Sequence, residues 1–340
     1  MNYDTAMIGA LEARAMRRES RREFFKTAGS AAAAVAGASA LAACSDNDDN
    51  DTGTTPAPPT TTTPPPPPPP PAPAAIGDPE ILNFALNLEY LEAEFYSYAV
   101  FGTGLPGNLR TGAGGNPGTV TPGRQVAFRD PVVAQYALEI AQDEIAHVRF
   151  LRTQLGTAAV AEPSIDVGSS ANGAFSAAAR AAGLVGAGQA FDPYLNDENF
   201  LLGAFLFEDV GVTAYLGASS LIKSLDIREA ALGIHAAEAY HAGLVRTLLY
   251  RRGVETPSLR TATVAISNAR DSLDGATDID QGVIGTADAS NIVPTDANGL
   301  AFARNGGQVL NIVYLTSAAA TSGGFFPNGV NGAIRSSQQN

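Results

Sequence analysis

The sequence predicts an all-α fold, a four-helix bundle whose two hairpins are joined by one long crossover. Three observations carry this reading. Four segments of more than 20 residues place apolar side chains at helical spacing between clear start and stop residues. The links between them are intermediate, long and very short in turn. In each pair of segments, a Glu on the leading one is followed by Glu-x-x-His on the next.

The first segment is "DPEILNFALNLEYLEAEFYSYAVFG", with Asp78 as N-cap, Pro79 at the first helical position and Gly102 closing the end. The same grammar opens the second at Asp130–Pro131 and ends it at Gly156. A third helix is capped near Asn196, in "NDENFLLGAFLFEDVGVTAYLGASSLIK", and a fourth runs from Asp226 to Gly253. A Gly-rich loop (102–129) joins the first two, and only a few residues join the last two. Between the pairs lie residues 157–195, with one short helix expected around Phe175–Leu184. Two antiparallel hairpins with a single crossover form the ferritin-like bundle arrangement. After Gly253 the chain is rich in Gly, Asn, Ala and Asp, so residues 256–340 read as an extension wrapped on the bundle of residues 78–255. That extension is expected to hold a short helix within 306–317 and a tight aromatic loop at 323–332.

The N-terminal stretch reads differently. "SRREFFK" carries Arg21 and Arg22 ahead of a mildly apolar run, Thr27–Ala43, that is too short to favour a stable membrane span. It resembles a twin-arginine export signal, and "LAAC" ending at Cys44 resembles a bacterial lipobox. Residues 1–44 are therefore expected to be a signal with Cys44 as the lipidation site, giving an exported protein anchored in the envelope. Cys44 is the only cysteine, which excludes a disulfide framework. Residues 45–77, acidic and then Thr- and Pro-rich, cannot build a core and read as an extended tether.

The whole chain carries a formal charge of −13. Beyond residue 43 it holds 15 basic and 30 acidic groups, about −15. Such a surface repels phosphate backbones, so nucleic acid is excluded as a partner and metal cations are favoured.

The histidines are the most informative residues. There are only three, and two stand in Glu144–x–x–His147 and Glu238–x–x–His241, where about 0.3 acid-x-x-His matches are expected by chance. Residues three apart on a helix point the same way, so each pair can reach one metal. Along the second helix Val133, Ala137, Ile140, Glu144, His147 and Leu151 share a face, which argues against solvated positions. The first and third helices add Glu89 and Glu208, each followed seven residues on by a tyrosine, Tyr96 and Tyr215, on its own face. Four carboxylates in a bundle core need compensating charge, and two divalent cations supply it. Oxygen-rich ligands with imidazole suit iron or manganese, and the residues do not choose between them. Tyr96, Tyr215 and Asp143 are candidates for a supporting role around the ligands, and Glu92 for an extra ligand, although Gly211 takes its equivalent place on the third helix. His235 reads as a packing or surface histidine.

The blocks "ALNLEYLEAEFY", "AQDEIAHVRFL", "LFEDVGVTAYLGA" and "AAEAYHAGLVRTLL" resemble the ferritin-like family of desiccation-related proteins of bacteria and plants. "AFARNGGQVLNIVYL" and "GGFFPNGVNG" are similar to that family's C-terminal part, so the resemblance spans roughly residues 78–335. More distantly, the ligand plan is similar to that of rubrerythrins and manganese catalases. The resemblance implies a four-helix bundle with metal at Glu89, Glu144, His147, Glu208, Glu238 and His241. Two functional expectations follow. The first is an exported metalloprotein with two iron or two manganese ions that reacts with oxygen or peroxide in envelope stress protection. The second is a non-enzymatic, tethered metal-binding or structural protein acting during drying. Expected partners are metal ions, oxygen or peroxide, the twin-arginine export machinery and a membrane reached through the Cys44 lipid. The oligomeric state stays open, with a dimer among the options.

Overall fold

The computed structural model describes residues 76–340. Arg21, Arg22, Cys44 and the tether up to residue 75 lie outside the described residues. The elements run α1 (Asp78–Phe101), α2 (Gly107–Arg110), β1 (Val120–Thr121), α3 (Pro131–Leu155), β2 (Ile165–Asp166), α4 (Ala174–Ala181), α5 (Asp197–Ser219), α6 (Leu225–Glu255), α7 (Pro257–Asp274) and α8 (Gly306–Tyr314). The fold is all-α, and α1, α3, α5 and α6 are the four long helices of the bundle. The strands are two residues each, pair in parallel, and pin the first loop to the crossover.

The helix ends follow from local chemistry. Asp130 accepts from Val132 N at the start of α3, and Asn196 accepts from Asn199 N at the start of α5. Gly102 closes α1 in the left-handed conformation that a Cβ disfavours. Asp78 departs from its expected role. Gly77 is the N-cap of α1, and the Asp78 carboxylate instead accepts from Lys223 N and Ser224 N at the start of α6. Those backbone bonds hold its pKa below the usual carboxylate range. One side chain thereby ties the beginning of α1 to the turn between α5 and α6.

The four helices are not equivalent. α1 is buried without interruption from Ile81 to Ser97, and α5 from Phe200 to Gly211. α5 is long and apolar enough to cross a membrane, but its surface is spent on the interior of the bundle. α3 and α6 are amphipathic, with one face inward and one toward solvent. Phe95 of α1 centres an aromatic cluster with Phe175, Tyr194, Phe200 and Phe207, at ring-centroid distances of 5.3 to 5.8 Å. The crossover is therefore packed against both central helices.

The region after α6 is more ordered than its composition suggests. α7 spans 18 residues where no helix was expected. Its Thr261, Thr263, Val264 and Ile266 are poor helix formers. Pro257 at its first turn and the burial of Leu259, Ala262, Ile266 and Arg270 on one face fix it by packing instead. α8 begins with an Asn305–Gln308 capping box and stops at Leu315, which adopts a left-handed backbone at φ 56°, short of the expected residue 317.

The extension is joined to α5 by a buried ion-pair network. Arg270 pairs with Asp209 at 3.0 Å and Asp280 at 2.5 Å, Arg246 with Asp209 at 2.8 Å, and Arg304 with Asp280 at 2.9 Å and Asp274 at 2.6 Å. Three guanidinium groups face three carboxylates, so the charges balance. Backbone carbonyls of Phe205, Leu206, Gln281, Gly282, Asn291 and Ile292 take further donors. Gly217 lets the chain cross α5 closely, since a Cβ there would stand 2.0 Å from Arg304 O.

Candidate metal centre

The Glu and Glu-x-x-His plan places side chains from all four long helices at one point in the bundle core. Glu89, Glu144, Glu208 and Glu238 are all fully buried, as is His241, while His147 is slightly exposed. Their potential ligand atoms form two groups, each spanning no more than 4.8 Å: Glu89, Glu144, His147 and Glu238, and then Glu144, Glu208 and His241. All six expected side chains are thus brought together, with Glu144 common to both groups.

The contacts show how Glu144 is shared. Its Oε2 lies 3.5 Å from His147 Nδ1, and its Oε1 lies 3.0 Å from His241 Nδ1. His147 Nδ1 also stands 3.2 Å from Glu89 Oε2 and 3.4 Å from Glu238 Oε1, and His241 Nδ1 stands 3.7 Å from Glu208 Oε2. Both imidazoles therefore turn Nδ1 inward. The ring centroids are 6.1 Å apart.

Several of these atoms have no hydrogen-bond partner among the described residues. Both oxygens of Glu144, both of Glu238, Glu208 Oε2 and His241 Nδ1 are buried in this condition. A buried carboxylate left without a hydrogen bond is costly, and an explanation is required for each such group. A cation fits this demand in charge, in donor type and in position. The residues present fit the metal centre that the ligand plan implies.

The electrostatics carry the same message. Burial, reinforced by Glu144 and Glu238, pushes Glu89 up to about 8. Burial and neighbouring carboxylates push Glu208 and Glu238 upward as well. Glu144 goes the other way: burial opposes its charge, but His147 and His241 hold it below the usual carboxylate range. Burial also opposes charge on the two imidazoles, and the surrounding carboxylates overcome it, raising both. Without a cation, this cluster of acids is under strong pressure to take up protons.

The surrounding residues are placed less predictably. Each tyrosine reaches across the bundle and not to its own helix's glutamate. Tyr96 of α1 donates to Glu208 Oε1 on α5, and Tyr215 of α5 donates to Glu89 Oε1 on α1. Asp143 also acts across hairpins, with Oδ2 3.4 Å from His241 Nε2. Glu92 is buried beside the cluster, and burial together with Glu238 and Glu144 raises its pKa well above the usual value. It is outside both donor groups. Gly211 makes room for this crowding, because a Cβ there would lie 2.5 Å from Glu238 Oε2 and 3.5 Å from Glu92 Oε1. His235 donates from Nδ1 to Val212 O and is a packing residue tying α6 to α5.

Sequence reasoning missed the support behind Glu208. The next residue, Asp209, lies about 100° further round α5 and joins the Arg246 and Arg270 pairs. Its position beside a candidate ligand was the available signal.

Comparisons with known proteins bear on the family of the fold. The family described as Ferritin-like domain matches residues 77–251. A protein named desiccation-related protein PCC13-62, from Craterostigma plantagineum, is 30% identical over 267 residues, covering 75% of this chain and 83% of that protein. A protein named ferritin-like catalase Nec2, from Nesocodon mauritianus, is 29% identical over 269 residues, covering 76% of this chain and 84% of its own length.

Proposed function

The chain belongs to the ferritin-like domain family, desiccation-related type, and we propose that it is an exported metalloprotein whose paired iron or manganese ions react with peroxide or dioxygen. The observation that carries this reading is Glu144, whose two buried oxygens each face a different imidazole and accept no well-formed hydrogen bond among the described residues. Glu89, His147 and Glu238 would hold one ion and Glu208 and His241 the other, with Glu144 between them. Ions of this kind supply one-electron oxidation and reduction toward small oxygen species.

The chain's own residues perform the remaining work. Tyr96 and Tyr215 each hold a phenolic proton on a glutamate oxygen, which leaves the other oxygen of that carboxylate directed inward. Asp143 contacts His241 Nε2 and orients the ring so that Nδ1 faces the carboxylates. The continuously buried stretches of α1 and α5 restrict the access of bulk water from their side of the bundle. The name of the catalase relative favours peroxide as the substrate.

The test is metal content and peroxide consumption of the purified chain after loading with Fe(II) or Mn(II). The reading requires about two ions per chain and turnover that disappears in Glu144→Ala and Glu238→Ala. Substoichiometric metal after reconstitution would overturn it. A second reading, a non-enzymatic protein of drying tolerance, draws on the name of the desiccation-related relative. A loaded protein that leaves peroxide and Fe(II) unchanged would favour it. We further assign residues 1–44 to twin-arginine export and lipidation at Cys44, on the pattern around Arg21 and Arg22. Fractionation of an Arg21→Lys, Arg22→Lys variant, with mass spectrometry of the Cys44 peptide, tests that assignment.

A further inference from the structure

Among the described residues, the stripe of α6 through Leu232, Ala236 and Tyr240 has no partner, and its sequence is unlike that of a solvated helix. Between Glu229 and Arg251, every charged side chain of α6 turns inward: Glu238, His241 and Arg246 are buried. The exposed positions in this interval are Leu232, Gly233, Ala236, Ala239, Tyr240 and Thr247. Tyr240 is 77% exposed and Leu232 42%. A solvent-facing helix surface of six turns without a charge is unusual, because charged residues normally fill such positions.

Gly233 adds an independent observation. Gly233 and Gly243 lie inside α6, where glycine is the least favourable residue after proline. Most glycines in the helical core meet something at the place of a Cβ, as Gly211 and Gly217 do. At Gly233 and Gly243 a Cβ would meet nothing within 4 Å. Gly243 lines a cavity against Ile292, Val293 and Pro294 of the extension, whereas Gly233 is exposed and has no such neighbour among the described residues. Close approach by another surface would account for Gly233.

The charges at the two ends say which surface. Glu229 and Arg251 are each eleven residues from Tyr240, about 16 Å along the axis. Eleven residues is close to three turns, so all three lie on one stripe. Both end residues are exposed, and neither forms an ion pair among the described residues. We propose that this face of α6 is the two-fold contact between two copies of the chain, antiparallel and centred on Tyr240. In that arrangement Glu229 of each copy lies beside Arg251 of the other, Gly233 lies opposite Thr247, and the two Tyr240 rings meet at the axis. A two-fold contact must be self-complementary, and this stripe is so in charge as well as in shape.

The contact has a consequence for the metal centre. The solvent-reaching parts of that centre are Asp143, 29% exposed, and His147, 12% exposed, on α3 beside α6. A second copy seated on the neighbouring helix would shield this seam.

Sedimentation velocity of the full chain carrying Cys44→Ser, which removes the single thiol as a cause of self-association, tests the proposal. A dimer is expected, and Tyr240→Arg should convert it to monomer at the same concentration. Glu229→Arg and Arg251→Glu should each weaken the dimer about tenfold, and the two together should restore it. Circular dichroism confirms that each variant stays folded. A monomeric parent chain, a dimer indifferent to Tyr240→Arg, or a charge swap without rescue would each overturn the proposal.

Discussion

Tyr215 of α5 donates its phenolic proton to Glu89 of α1, and Tyr96 of α1 returns the same bond to Glu208 of α5. The two central helices run antiparallel with a register that makes this exchange reciprocal. Each hairpin therefore supplies the residue that positions the other's leading carboxylate. The two halves of the centre depend on one another.

Removing either phenol should loosen a ligand without breaking the fold. Tyr96→Phe and Tyr215→Phe are each expected to lower metal affinity by about tenfold to a hundredfold, the usual effect of losing a hydrogen bond to a ligand. Competition with a chromogenic chelator measures the loss, and thermal unfolding of the metal-free forms checks that the bundle is intact.

Gly211→Ala separates helix preference from site geometry. Alanine favours the helix by about 1 kcal/mol over glycine. Its methyl group, however, would stand 2.5 Å from Glu238 Oε2. The rise in Tm on adding metal should therefore shrink markedly relative to the parent chain, as read by calorimetry with and without Fe(II) or Mn(II).

The network behind α5 should be intolerant of one-sided change. Arg270 is fully buried between Asp209 and Asp280 and lies over the Phe205 ring at 4.8 Å. Arg270→Ala leaves two buried carboxylates short of a cation, which typically costs about 3–5 kcal/mol. Urea unfolding should show that loss.

Glu162 makes stability fall as pH rises from about 4.5 to about 9. Burial and the adjacent Glu94 push its pKa from the ordinary 4.5 to about 9, and Arg110 only partly opposes them. The folded chain then holds a proton that the unfolded chain releases, so this contribution is full below pH 4.5 and declines as pH rises to about 9. Glu162→Gln, which is neutral throughout, should give a flatter stability profile over that interval in urea titrations at several pH values.

What could be read from the sequence and what could not divide along physical lines. The four long helices carry their caps and apolar stripes locally, so Asp130, Asn196 and Gly102 mark them without tertiary information. The pairing of Glu144 with His147 and of Glu238 with His241 is equally local, since three-residue spacing fixes a shared face within each helix. The destinations of Tyr96 and Tyr215 depend on the register of α1 against α5, which no local pattern specifies. Asp78 caps a helix that begins 147 residues later for the same reason. α7 was hidden because its β-branched residues disfavour a helix that packing nevertheless enforces.

The central claim is that two cations neutralise the buried acids around Glu144. Anomalous X-ray diffraction from crystals of the loaded protein, collected on both sides of the iron and manganese absorption edges, measures this directly. Two peaks are predicted, one within the Glu89, Glu144, His147 and Glu238 group and one within the Glu144, Glu208 and His241 group. A map with no peak among these six side chains after reconstitution would contradict the account.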